Sequence, residues 1–122
     1  MLKLRRSYSN IHQLEFTKEW RGVIEDAIRE VCVHRGYSLL AFNIRTNHVH
    51  TVVSAALKPE PILQAFQAYA TRALRRKGLL APTVKPWSRH GSTRYLWKER
   101  HVEKAIDYVL YGQGDDLPTF DD

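Results

Sequence analysis

Apolar residues recur at three-and-four spacing from Trp20 through Ile24, Ala27, Ile28, Val31 and Cys32, the signature of a helix with one buried stripe. Thr17 can cap its start and Gly36 can stop it. The pattern then changes. Tyr37 to Ile44 and Val49 to Val53 are rich in aliphatic, aromatic and β-branched residues, and Arg45, Thr46 and Asn47 between them are turn candidates, which predicts an antiparallel hairpin. Pro59 and Pro61 open a second helix carrying Ile62, Phe66, Tyr69, Ala70, Ala73 and Leu74, closed by Gly78. Leu79 to Ser92 reads as loop, Thr93 to Trp97 as a short strand. A third helix begins near Glu99 with the stripe Val102, Ala105, Ile106, Val109 and Leu110, ended by Gly112 and Gly114. This order predicts an α+β sandwich, a small antiparallel sheet covered by helices. At the front, Leu2 and Leu4 alternate with Lys3 and Arg5 for only a few positions, so the first strand is expected to be short or missing.

At 122 residues the chain fits one domain, read as residues 1–114 followed by an acidic tail at 115–122. Its 43% apolar and 26% charged residues suit a folded globular domain and exclude collagen-like and coiled-coil architectures. The apolar stretches fall far short of the roughly 18 residues that span a bilayer, so no membrane segment is expected. The basic start at Lys3, Arg5 and Arg6 runs into polar Ser7 to Asn10 rather than a signal-peptide core, which predicts a cytoplasmic protein. The single cysteine, Cys32, has no disulfide partner and reads as a small buried hydrophobe.

Charge alters this picture. The net charge is +6, and four aspartates lie in the last eight residues, which leaves the body more basic still. Pro61 to Lys98 holds eight basic residues and no acid, a block that points to a polyanionic partner. Tyr69, Trp87, Tyr95 and Trp97 are interleaved with it and could stack on unpaired bases, core packing being the alternative. The basic residues that close the second helix also suit its dipole.

The sharpest local signal is Asn47-His48-Val49-His50 at the head of the second hairpin strand. Strand residues two apart share a face at about 7 Å, so His48 and His50 can converge on one metal ion while Val49 faces the core. Two ligands are too few for a tight site; an oxygen donor as the third would suit Mg²⁺ or Mn²⁺. His90-Gly91-Ser92 resembles one half of the paired signature of small phosphodiesterases, but there is no second copy and it reads as loop.

The His-hydrophobe-His strand, the basic helix and the late run Ala105-Ile106-Asp107-Tyr108-Val109-Leu110-Tyr111-Gly112-Gln113 together resemble the single-tyrosine HUH transposases, including the REP-associated tyrosine transposases. The resemblance extends from about Trp20 to Gln113, and Trp87 to Trp97 resembles the segment leading into the tyrosine helix in a subgroup. It implies a ferredoxin-like fold, His48 and His50 as metal ligands, Tyr108 as nucleophile, and Gln113 as the side chain completing coordination of Mg²⁺ or Mn²⁺. It also implies cleavage of single-stranded DNA beside hairpins, a 5′-phosphotyrosine intermediate, and a homodimer, with no nucleotide cofactor. Arg45, Arg72, Arg75, Arg76, Lys77, Arg89, Arg94 and Lys104 are the candidates for DNA contact. Two features depart from the family: Gln113 follows Tyr108 by five residues where four is common, and the opening strand is only a short candidate. A missing strand would expose a sheet edge that dimerisation could repair.

Two other readings stay open on sequence: a non-catalytic descendant that binds hairpin nucleic acid, and a basic domain that binds another protein. Between the two tyrosines of the last helix, about 100° per residue puts Tyr108 on the flank of the apolar stripe and points Tyr111 away from it. Periodicity therefore agrees with the resemblance on Tyr108 as nucleophile.

Overall fold

Strands and helices alternate as β1 (Arg5–His12), α1 (Lys18–Arg35), β2 (Ser38–Ile44), β3 (His48–Ala55), α2 (Pro59–Arg76) and β4 (Ser92–Tyr95), followed by α3 (Glu99–Tyr111). The computed structural model describes residues 5–12, 16–45, 48–87 and 92–112. The four strands form one antiparallel sheet in the order β2-β3-β1-β4, which with the β-α-β-β-α-β chain order is the ferredoxin-like arrangement. The expected fold class is therefore observed, with α3 added on the second face. No helix among the described residues is long and apolar enough to cross a membrane.

Local chemistry sets the helix ends as the spacing predicts. The Thr17 hydroxyl accepts the Trp20 N–H at 3.1 Å, capping α1. Gly36 ends it in the left-handed region at φ 72°, a conformation that costs an L side chain energy, while Tyr37 N–H donates to the Cys32 carbonyl at 2.8 Å. The hairpin closes through Arg45 N–H on the His48 carbonyl at 2.8 Å; Thr46 and Asn47 lie outside the described residues.

Alternation along β3 divides the interior into two cores. Val49 and Val53 join Ile24, Ile28, Val31, Phe66 and Leu74 beneath α1 and α2. Val52 faces the other way, with Ala41, Leu96, Val102, Ala105 and Val109 beneath α3. On β2 the register shifts between Leu39 and Ala41, leaving Leu40 as the extra residue of a bulge. Leu39, Phe42 and Ile44 pack on the α1 side, whereas Ala41 belongs to the α3 core.

The opening strand requires correction. It is neither short nor missing: β1 runs eight residues and lies inside the sheet, paired with β3 from Arg5 to His12 and with β4 from Ser7 to Asn10. Its sequence carries only Tyr8 and Ile11 as large apolar residues, so hydrophobic alternation is faint. Backbone pairing on both edges holds it instead, and such pairing does not depend on side-chain type. The sheet edges are β2 and β4, so no open edge at β1 calls for a dimer. The α3 stripe is also narrower than expected, because Leu110 is 43% exposed.

Cys32 is buried, as its solitary position suggested. Burial pushes its thiol up to about 11, against a smaller opposing pull from the Arg29 charge. A raised thiol pKa in the folded state contributes stability below the ordinary thiol range that is lost as pH rises through about 11. The folded chain should resist iodoacetamide at pH 8 and react promptly once unfolded in guanidinium. Mass spectrometry of both samples checks this; equal labelling would place the thiol at the surface.

Candidate active site

His48 and His50 sit at the start of β3 on the face that Val52 turns toward α3. Their rings lie nearly parallel, 18° apart, with centroids separated by 5.7 Å. From α3, Tyr108 meets His50 edge to face at 5.8 Å between centroids. His48 and Tyr108 are half-buried and His50 is buried, so the trio lies at the rim of the smaller core. Tyr111, the competing tyrosine, is 71% exposed, as helical periodicity predicts.

A second set of contacts fixes α3 over the histidines. Asn43 lies opposite His50 in the register, and its amide donates to the Val109 carbonyl at 2.8 Å. Arg45, two residues on, donates from its guanidinium to the Gly112 carbonyl at 2.6 Å. A helix leaves its last carbonyls without intrahelical donors, and cations favour that end. The last turn of α3 has no basic residue of its own, so Arg45 brings a cation to it from the hairpin. Gly112 turns to extended backbone and its N–H donates to the Tyr108 carbonyl at 2.8 Å. A β-carbon there would fall 2.5 Å from that carbonyl and 2.7 Å from Cδ2 of the Tyr108 ring, so only glycine allows this approach. Sequence reasoning missed Asn43 and this use of Arg45; a lone amide inside the apolar run Leu39 to Ile44 was the available signal.

The predicted metal ligands are brought together only in part. The two near-parallel imidazoles on one strand face suit a shared divalent ion, but no group of three His, Cys, Asp or Glu side chains able to hold a metal occurs among the described residues. Gln113 lies outside them. In the backbone register, His12 of β1 is the partner of His48, a third histidine position at this end of the sheet.

The candidate DNA-contacting residues separate onto two faces. Lys104 is exposed one turn before Tyr108, and Arg94 is exposed on β4 at a register position aligned through Tyr8 with Val52, on the α3 side. Arg72, Arg75 and Arg76 are exposed on α2 and Lys77 caps its end, on the opposite side of the sheet. There Arg72 lies over the Tyr69 ring at 4.7 Å, and Arg75 donates to the Val84 carbonyl at 3.1 Å. Arg89 and the acidic tail lie outside the described residues. Of the interleaved aromatics, Trp87 is structural: its indole N–H donates to Thr71 Oγ1 at 2.8 Å and its ring meets Phe16 edge to face. Trp97 is 68% exposed and lies 4.8 Å from the Tyr95 ring, a surface pair that a base could join.

Comparison with known proteins agrees with this fold. No curated protein matches the chain. Among solved structures, a REP-associated tyrosine transposase bound to a REP hairpin superimposes with a TM-score of 0.70 at 11% identity over 88% of this chain. This chain spans 65% of that protein's length. A candidate transposase from Deinococcus radiodurans R1 gives a TM-score of 0.60 at 16% identity, covering 88% of this chain and 91% of its own. At these identities the likeness establishes the fold. The sequence pattern of the family described as "Transposase IS200 like" matches residues 8–107, from β1 into α3, and the chain belongs to that family.

Proposed function

We propose that this chain cuts and rejoins single-stranded DNA beside a hairpin, through a phosphotyrosine formed on Tyr108. The observation that carries the reading is the contact of Tyr108 with His50, whose ring stacks beside that of His48, from elements far apart in sequence. Family membership supports it, and the similar REP-associated transposase was seen with a hairpin bound. The complete β1 strand removes one reason for reading the chain as a decayed, non-catalytic binder.

In this mechanism the Tyr108 oxygen bonds to the scissile phosphorus as the P–O3′ bond breaks. The phenolic proton ends on the departing 3′ oxygen, leaving a free hydroxyl and a DNA 5′ end held on the enzyme. Reversal with a different 3′ hydroxyl rejoins strands without a nucleotide cofactor. His48 and His50, with Gln113 as the resemblance implies, would be the residues that hold Mg²⁺ or Mn²⁺. A cation there supplies positive charge against the charge that builds on the phosphate oxygens. Packing of Tyr108 on the α3 core restricts where the phenol can stand, which would hold it ready for that phosphate. Lys104 and Arg94, on the same face, hold the backbone of the strand being cut. The α2 arginines, on the far face, meet the hairpin stem only if the DNA passes around the sheet edge. A homodimer rests on the family resemblance alone.

Three outcomes test this reading. Incubated with labelled hairpin-bearing single strands and Mn²⁺, the parent chain and Tyr111→Phe should form a denaturant-resistant protein-DNA adduct, and Tyr108→Phe should form none while binding DNA within about twofold of the parent. An adduct that survives in Tyr108→Phe but not Tyr111→Phe would reassign the nucleophile. Calorimetric titration with Mn²⁺ should give one site per chain, weakened on the order of tenfold or more by His48→Ala or His50→Ala. Arg94→Gln with Lys104→Gln should flatten the salt dependence of binding to a short single strand by about 0.7 log units for each phosphate no longer neutralised. The triple Arg72→Gln, Arg75→Gln, Arg76→Gln should weaken binding of the full hairpin and leave that short strand unaffected.

A further inference from the structure

We infer that Arg45 and Gly112 are positioning residues for Tyr108, forming with Asn43 a latch that sets where the phenol stands over His50. The inference rests on the reading of Tyr108 as nucleophile. Its physical content lies in three interactions that converge on one helical turn. The Arg45 guanidinium holds the Gly112 carbonyl at 2.6 Å, and the Asn43 amide holds the Val109 carbonyl at 2.8 Å. Gly112 in turn lies so close to Tyr108 that a β-carbon would overlap the ring at Cδ2, 2.7 Å away. The residue that Arg45 holds by its carbonyl is therefore also the residue that packs closest on the nucleophile's ring, so the position of one bears on the position of the other.

The bulge in β2 makes the latch possible. Were Leu40 regularly paired rather than bulged, positions 41, 43 and 45 would share the face of Leu39, beneath α1. With it they turn to the α3 side, Ala41 into the smaller core and Asn43 and Arg45 to the carbonyls at the helix end. Arg45 was read from sequence as a DNA contact; its bond to Gly112 gives it a different task, acting on the reaction through Tyr108 rather than on a phosphate. A misplacement of about 1 Å at a reacting atom can cost on the order of a hundredfold in rate.

The test compares the parent, Arg45→Gln, Arg45→Lys and Gly112→Ala by NMR and by single-turnover adduct formation on hairpin DNA with Mn²⁺. The parent should show a nuclear Overhauser effect between the Tyr108 ring and the Gly112 α-protons. In Arg45→Gln that Overhauser effect should vanish and adduct should form ten- to a hundredfold more slowly, with affinities for DNA and Mn²⁺ within twofold of the parent. Arg45→Lys, which keeps the charge, should recover part of both. Gly112→Ala should displace the ring although Arg45 is intact. Retention of both the Overhauser effect and the rate in Arg45→Gln overturns the proposal. A slower rate with the Overhauser effect retained also overturns it, since Arg45 would then be acting on DNA directly. If Arg45→Gln fails to fold by thermal unfolding, Arg45→Lys and Gly112→Ala carry the same comparison. If the parent forms no adduct, the proposed reaction fails, and the ring's proximity to Gly112 still decides the latch: its disappearance in Arg45→Gln supports it and its persistence overturns it.

Discussion

Strand β3 has a neighbouring strand on each edge and a helical layer on each face, so each of its side chains has one of two destinations. Val49 and Val53 go beneath α1 and α2, and Val52 beneath α3. His48 and His50 share the parity of Val52. A slip of one residue would carry both histidines into the larger core and bring the valines out toward Tyr108. The valines that stabilise the fold therefore also fix the face on which the imidazoles stand. Pairing with β1 on one side and β2 on the other makes the register doubly determined.

The bulge on β2 is a second, local exception to the same alternation. It lets one strand serve both cores, apolar residues at 39, 42 and 44 toward α1 and a small residue at 41 toward α3. From there the polar residues at 43 and 45 face the helix that carries Tyr108. A regular strand could not place Leu39 under α1 and Asn43 beside α3 at once. Irregular pairing is therefore a condition of the site's assembly.

Much of this was legible in the sequence where period and punctuation agree. Thr17, the three-and-four stripe and Gly36 defined α1, and the prolines at 59 and 61 defined the start of α2. The His48 and His50 pair and the flank position of Tyr108 followed from the periods of strand and helix, and the structure brings these three together. Strand β1 was hard to read because a central strand can be held by its backbone while its side chains, Arg, Ser and Asn among them, carry little hydrophobic rhythm. The bulge was illegible for a different reason. Leu39-Leu40-Ala41 is apolar throughout, so nothing in composition marks which residue is the extra one. With the bulge hidden, the faces of Asn43 and Arg45 were hidden too, and a basic residue in a turn reads naturally as a phosphate contact.

The two cores differ in size, and that difference bears on how α3 is held. Among the described residues, seventeen buried side chains form the core beneath α1 and α2 and six form the one beneath α3, two of those six being alanines. Apolar burial is nondirectional, so a small smooth core holds α3 to the sheet while leaving its rotation and sliding weakly specified. Hydrogen bonds to fixed carbonyls are directional, and a buried or half-buried donor loses more when its partner is missing than it gains when the pair is made. Asn43 and Arg45 therefore add to α3 the one property its hydrophobic packing lacks, a preferred position along and about its axis. The proposed reaction, in which one phenolic oxygen must reach one phosphorus, needs that property more than it needs additional stability. On the proposed function, polar side chains on β2, an edge strand outside the proposed chemistry, thus stand beside the helix to which that chemistry is assigned.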